Sequence, residues 1–126
     1  MTRFALLLAA LLPLAATGPA LAQDADFNLT YHVERTPAAQ LDIETCGATA
    51  GKAAEQAGLR FATQSYPGQL VTVSGGTPGT GAFVVQCISV EDTTVTVVQG
   101  IDYRAQQGPL AAFADAAFAA IKAAAK

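Results

Sequence analysis

The side chains equipped to do chemistry are few. His32 is the single histidine of the chain and stands two residues before Glu34 in the alternating run from Phe27 to Arg35. Residues two apart in an extended strand project from one side, so the imidazole and the carboxylate share a face. An imidazole beside an acid is the minimum equipment of a general base. Arg60, Gln64 and Tyr66 join that face if their strand lies next to the first. His32, Glu34, Arg60, Gln64 and Tyr66 then form a small polar surface suited to binding, on what reads as a solvated side of the sheet.

Other reactive patterns fall short of a motif. Ser65, Ser74 and Ser89 are the serines of the mature chain, and none lies in a G-x-S-x-G elbow. One histidine cannot build a zinc site that wants three or four ligands, so no metal and no cofactor is expected. Glu91 and Asp92 are adjacent in a turn, and Asp42 and Glu44 point to different sides of a helix, whereas glycoside hydrolysis needs two carboxyls facing across a cleft. The glycine-rich stretch Gly75–Gly81 runs into Ala82 and Phe83, not into a Lys and a helix. It therefore lacks what a phosphate-binding loop requires and reads as a flexible hairpin connection.

Cys46 and Cys87 carry a different chemistry, which depends on where the chain goes. Arg3, the apolar run Phe4–Leu12, Pro13, and the small residues Ala20 and Ala22 before Gln23 have the three-part layout of a bacterial export signal. The apolar run is too short to span a bilayer, which takes roughly 20 residues. Residues 1–22 are thus expected to be cleaved, leaving 23–126 as one small domain in the periplasm or secreted. Outside the cytoplasm two thiols oxidise, so a Cys46–Cys87 disulfide is expected, and without a C-x-x-C spacing it is structural rather than a redox centre.

The elements that must position these residues follow from periodicity. Phe27–Arg35 alternates as a strand. Thr36-Pro37 has the form of a helix start, and a seam through Leu41, Ile43, Cys46, Ala50 and Ala54 continues to Gly58, which closes the helix. Gly47 and Gly51 inside it suit close packing on a sheet. Leu59–Ser65, Leu70–Ser74, Ala82–Val90 and Thr93–Ile101 read as four further strands. Tyr66-Pro67-Gly68-Gln69 has the residues of a type II turn, and the last two strands form a central hairpin apolar on both faces. Gly108-Pro109 opens a terminal helix with Leu110, Phe113, Ala114, Ala117 and Ile121 along one stripe, widened by Phe118. The order β-α-β-β-β-β-α predicts an α+β two-layer sandwich, a mainly antiparallel sheet of about five strands with both helices on one face.

Charge narrows the partners. The mature chain has three Lys and three Arg against six Asp and four Glu, a formal charge of −4. Such a surface repels nucleic acid and anionic lipid, so no nucleic acid and, after signal removal, no membrane is expected. The composition, rich in alanine and glycine, suggests a GC-rich bacterial source. The reading is an exported, soluble, non-enzymatic binding or interaction module, with a protein partner or a homodimer formed through an exposed apolar sheet surface. The alternative is a small hydrolase or isomerase using His32 with a neighbouring acid.

Export and oxidation are checked together by mass. The chain recovered from outside the cytoplasm should begin at Gln23 and weigh about 2 Da less than its reduced composition, because a disulfide lacks two hydrogens. It should resist alkylation until reduced. A chain that begins at Met1, or that labels at both cysteines while folded and unreduced, contradicts this.

Overall fold

A computed structural model describes residues 26–126; the expected signal segment 1–22 and its cleavage site lie outside the described residues. The elements are β1 (Asn28–Pro37), α1 (Ile43–Gln56), β2 (Arg60–Tyr66), β3 (Leu70–Thr77), β4 (Gly81–Val90), β5 (Thr93–Asp102) and α2 (Pro109–Ala124). All strands pair antiparallel in one sheet of order β1-β5-β4-β3-β2. Both helices pack on the same face, so the expected two-layer α+β sandwich is the fold. The strand order, left open by the sequence, puts β1 and β2 at opposite edges, and α1 carries the chain from one edge to the other.

The core lies between the layers. Val71, Val73, Phe83, Val85, Cys87 and Val98 from the sheet meet Ile43, Cys46, Ala50 and Ala54 of α1 and Leu110, Phe113, Ala114, Ala117 and Ile121 of α2, all buried. Cys46 and Cys87 form the expected disulfide, with Cα atoms 6.1 Å apart and a separation of 41 positions in sequence. It ties α1 to β4. The helix is continuous through Gly47 and Gly51, and a Cβ on Gly47 would collide with Val71 Cγ1. Close approach of backbone to sheet is therefore the use of that glycine.

Two boundaries differ from expectation for stated reasons. The first helix begins at Ile43, not at Pro37. Thr36 and Pro37 still pair with Thr94 and Thr93 as the end of β1, and Asp42 is the true cap, accepting from Thr45 N–H at 2.6 Å. Strand pairing outweighs a Thr-Pro start signal whose donors are already taken. The glycine stretch is also no flexible connection: Gly75 and Gly76 lie inside β3, and the turn is confined to Pro78–Thr80, closed by Thr80 N–H on the Thr77 carbonyl at 3.0 Å. A Cβ on Gly75 would strike the Arg60 carbonyl of the neighbouring strand.

β1 carries the most consequential departure. Its polar residues Asn28, Thr30, His32 and Glu34 are the half-buried ones, facing the helix layer, while Leu29, Tyr31 and Val33 stand 47%, 63% and 54% exposed on the opposite face. Register dictates this: Leu29, Tyr31 and Val33 pair with Ile101, Gln99 and Val97, whose alternate neighbours Thr96, Val98 and Gly100 are the ones under the helices. α2 rests on β5, where a Cβ on Gly100 would strike the Leu110 carbonyl, and β1 lies beyond it at the margin of the helix.

Close packing at Gly47 yields a signed prediction. Gly47→Ala gains about 1 kcal/mol of helix propensity but overpacks a β-branched neighbour, at a cost of typically 1–3 kcal/mol. A net loss of about 1 kcal/mol is expected in chemical denaturation, and a stabilised variant would contradict the packing.

Candidate functional site

His32 lies on β1 and is half-buried against α2, where its Nε2 is 2.7 Å from Asp115 Oδ1. The imidazole stacks on Phe118, with centroids 4.5 Å apart and planes 7° from parallel. Lys122 Nζ sits 5.2 Å from the centre of the same ring. The His32–Asp115 contact is the one close approach of a basic side chain to a carboxylate among the described residues, and its acid is Asp115, not the neighbouring Glu34. The terminal helix supplies it because Asp115, Phe118 and Lys122 follow one another at three- and four-residue steps along the flank of α2 that overhangs β1.

The other four residues of the expected polar cluster do not join it as a unit. Glu34 is on the helix side of β1, opposite Thr96. Arg60, Gln64 and Tyr66 are on β2, at the far edge of the sheet and on its open face, opposite Gly76, Thr72 and Leu70. Two edges and two faces separate the groups, so His32 and Glu34 share no surface with Arg60, Gln64 and Tyr66. The expectation that their strands were neighbours is corrected by the strand order.

The depressions in the molecule lie elsewhere. A hollow of about 490 Å³ at the glycine end of β2 and β3 is lined by Arg60, Ser74, Gly76, Pro78 and Tyr103. One of about 590 Å³ runs between α1 and β2 over Gly47, Gly51, Phe61 and Val71. A third, of about 420 Å³, lies between the helices over Ala53, Ala57, Phe113 and Ala116. His32 lines none of these. No group of three or more His, Cys, Asp or Glu side chains is placed to hold a metal ion among the described residues.

The face of the sheet opposite the helices is a further continuous surface. The registers set its side chains in rows: Leu29–Ile101–Ala82–Gly76–Arg60, Tyr31–Gln99–Val84–Ser74–Ala62, Val33–Val97–Gln86–Thr72–Gln64 and Arg35–Val95–Ile88–Leu70–Tyr66. Its β1-β5-β4 half is dominated by Leu, Val, Ile and Tyr, and its β3-β2 half is more polar. No described element covers it. Among the described residues no helix is long and apolar enough to cross a membrane.

Asp102 is a buried carboxylate that sequence reasoning passed over. It ends β5, is 0% exposed, and accepts from Gly108 N–H at 2.8 Å, Leu110 N–H at 3.0 Å and Ala111 N–H at 3.0 Å. It thereby caps α2 from six residues upstream, using donors that a helix start leaves unpaired. The spacing of a cap signal hid it, because such caps are sought one residue before the helix. Burial pushes this carboxyl up, but the three donors, with Arg104 nearby, pull harder and leave it below its ordinary value. Gly108 is required beside it, since a Cβ there would lie 2.6 Å from Asp102 Oδ1.

Compared with known proteins, residues 26–126 match the model of a family of unknown function, DUF6180. No curated protein and no solved structure matches the chain.

Two measurements follow from these carboxylates. Asp102→Asn keeps one acceptor oxygen and sets an NH₂ against donors, and should lower the unfolding free energy by about 2 kcal/mol. Because the folded group binds its proton less readily than the unfolded one, its contribution is complete above the ordinary value of 3.8 and drains away as pH falls through the lower folded value. The wild type should lose more stability than Asp102→Asn between pH 5 and 2 in a denaturation series. Parallel acid limbs would refute the cap. His32→Gln, removing the contact with an Asp115 side chain that is 65% exposed, should cost no more than about 1 kcal/mol.

Proposed function

The chain belongs to the DUF6180 family of unknown function, and we propose that it is an exported, non-enzymatic interaction domain, periplasmic or secreted, that works through the open face of its sheet. The observation that carries this is the apolar half of that face, where Leu29, Tyr31, Val33, Val84, Val97 and Ile101 lie side by side across three strands with no layer over them. Three strands about 4.8 Å apart and about 30 Å long make a patch of roughly 430 Å². That is the size of the largest apolar patch on an ordinary monomer, and such patches often carry a function.

Sequence economy supports the same reading. β1 directs its polar side chains toward the helices and its apolar ones outward, the reverse of what solvation alone favours. Apolar residues held outward in register with Val97 and Ile101 make sense as part of a surface that is covered in use.

The rival reading, a small hydrolase or isomerase using His32, has one observation in its favour: an acid, Asp115, at hydrogen-bond distance. It ranks second because the imidazole is spent on Asp115 and Phe118, which hold β1 to α2, and lies outside the hollows described above.

Footprinting separates the two. Hydroxyl radicals should modify Tyr31 and Tyr66 weakly in a native envelope or culture extract and strongly after purification and dilution to nanomolar, while Phe118 on the helix side reacts alike in both. Val97→Lys should abolish the protection and His32→Gln should leave it. Equal reactivity of Tyr31 and Tyr66 in both samples would refute an interaction face.

A further inference from the structure

We propose that the open sheet face is closed by a second copy of this chain, packed face to face as a two-fold pair. The inference rests on the reading of that face as an interaction surface and names its occupant.

Area is the first argument. The five strands have 10, 7, 8, 10 and 10 residues. At about 4.8 Å between strands and 3.3 Å per residue, the face measures roughly 24 by 30 Å, or about 700 Å². That is close to the roughly 800 Å² each partner contributes to a stable interface of standard size, so the whole face of one copy suffices for the other. Stacked sheets in sandwiches meet over such flat faces at about 10 Å.

Charge is the second. The only charged residues in the four rows are Arg35 and Arg60; Glu34 is on the helix side, Asp102 is buried, and Glu91 and Asp92 are in the β4–β5 turn. The whole chain is net acidic, −3 by formal count, so two copies repel over most of their surfaces. Here they approach without opposing carboxylates. A partner chosen by charge would want a face with more than two ionic groups, whereas a nearly uncharged face meets its own copy without like-charge repulsion.

Register supplies the third. Arg35 shares a row with Tyr66, and Arg60 shares a row with Leu29, so the arginines stand at diagonally opposite corners. Aligned sheets pack with strands within about 30° of one another, which sets a two-fold axis in the interface close to along or across the strands. With the axis through the centre of the face, either choice brings Arg35 and Arg60 onto the partner's Leu29 and Tyr66, and never onto each other. An arginine stem over leucine and a guanidinium over tyrosine are both favourable. The face is thus self-complementary at its only charged points.

The test is the mass in solution of purified chain 23–126 by sedimentation, from nanomolar to about 100 µM, a range that spans ordinary homodimer affinities. Twofold mass at the upper end is expected. Val97→Lys, which sets like charges near the centre of the pair, should weaken association by about 100-fold or more, with circular dichroism unchanged. Val33→Lys, on the exposed edge strand, serves if Val97→Lys fails to fold, and Lys52→Glu on α1 should dimerise as the wild type does. A monomer at every concentration, or a dimer indifferent to both lysine variants, overturns the proposal. A monomer whose Tyr31 and Tyr66 are nonetheless protected in the native extract would assign the face to a different protein. If only a chain retaining residues 1–25 were protected, the occupant would be that segment.

Discussion

Two helices side by side are about 20 Å wide, while a sheet of five strands is roughly 24 Å across and has two faces. This shortage of cover organises the domain. One face is closed, its strands β5 and β4 lie beneath the helices with β3 covered at Val71 and Val73, and the edge strands fall at the margins. The margin explains why β2 is exposed along most of its length and why β1 can turn polar residues toward the helices. There they meet the flank of α2 rather than its apolar stripe.

Two attachments keep the helical layer on its side. The Cys46–Cys87 bond joins α1 to the central strand β4, and the Asp102 carboxylate joins the end of β5 to the first turn of α2. The second is electrostatic and buried, so it stabilises only while its three donors converge on it. Glycines at 47, 81 and 100 bring backbone or strand close where a side chain would intrude. Thr94, buried on β5, donates to the Leu41 carbonyl at 2.6 Å, which holds the segment leading into α1 against the same sheet face.

The His32–Asp115 pair illustrates how one geometry serves different readings. By distance it is a base held by an acid. By context it is a strand-to-helix tie, an imidazole flat on Phe118 at the edge of the core. The open face is the opposite case, with no reactive group but with rows of apolar side chains in register over three strands. Both β4 and β5 carry apolar residues on each of their faces, and that is the sequence signature of the uncovered surface.

Much of this was legible in the residues themselves. Periodicity identified five strands, two helices and their order, because the period of two in Thr93–Ile101 and the stripe Leu110–Ala114–Ala117–Ile121 are local properties of the chain. The even cysteine count and the shared core side of Cys46 and Cys87 gave their pairing. Local signals misled where pairing competed with them: Thr36-Pro37 is strand because β5 holds it, and Gly75-Gly76 is strand because β2 and β4 pair with it on both sides. The polar cluster failed for a reason outside any local pattern, since whether His32 and Arg60 are neighbours depends on strand order, and the sheet places β1 and β2 at opposite edges. Alternation shows that a strand has an apolar and a polar side, but only its partner's register decides which side meets the helices. For β1 that partner is β5, and it turned Leu29, Tyr31 and Val33 outward.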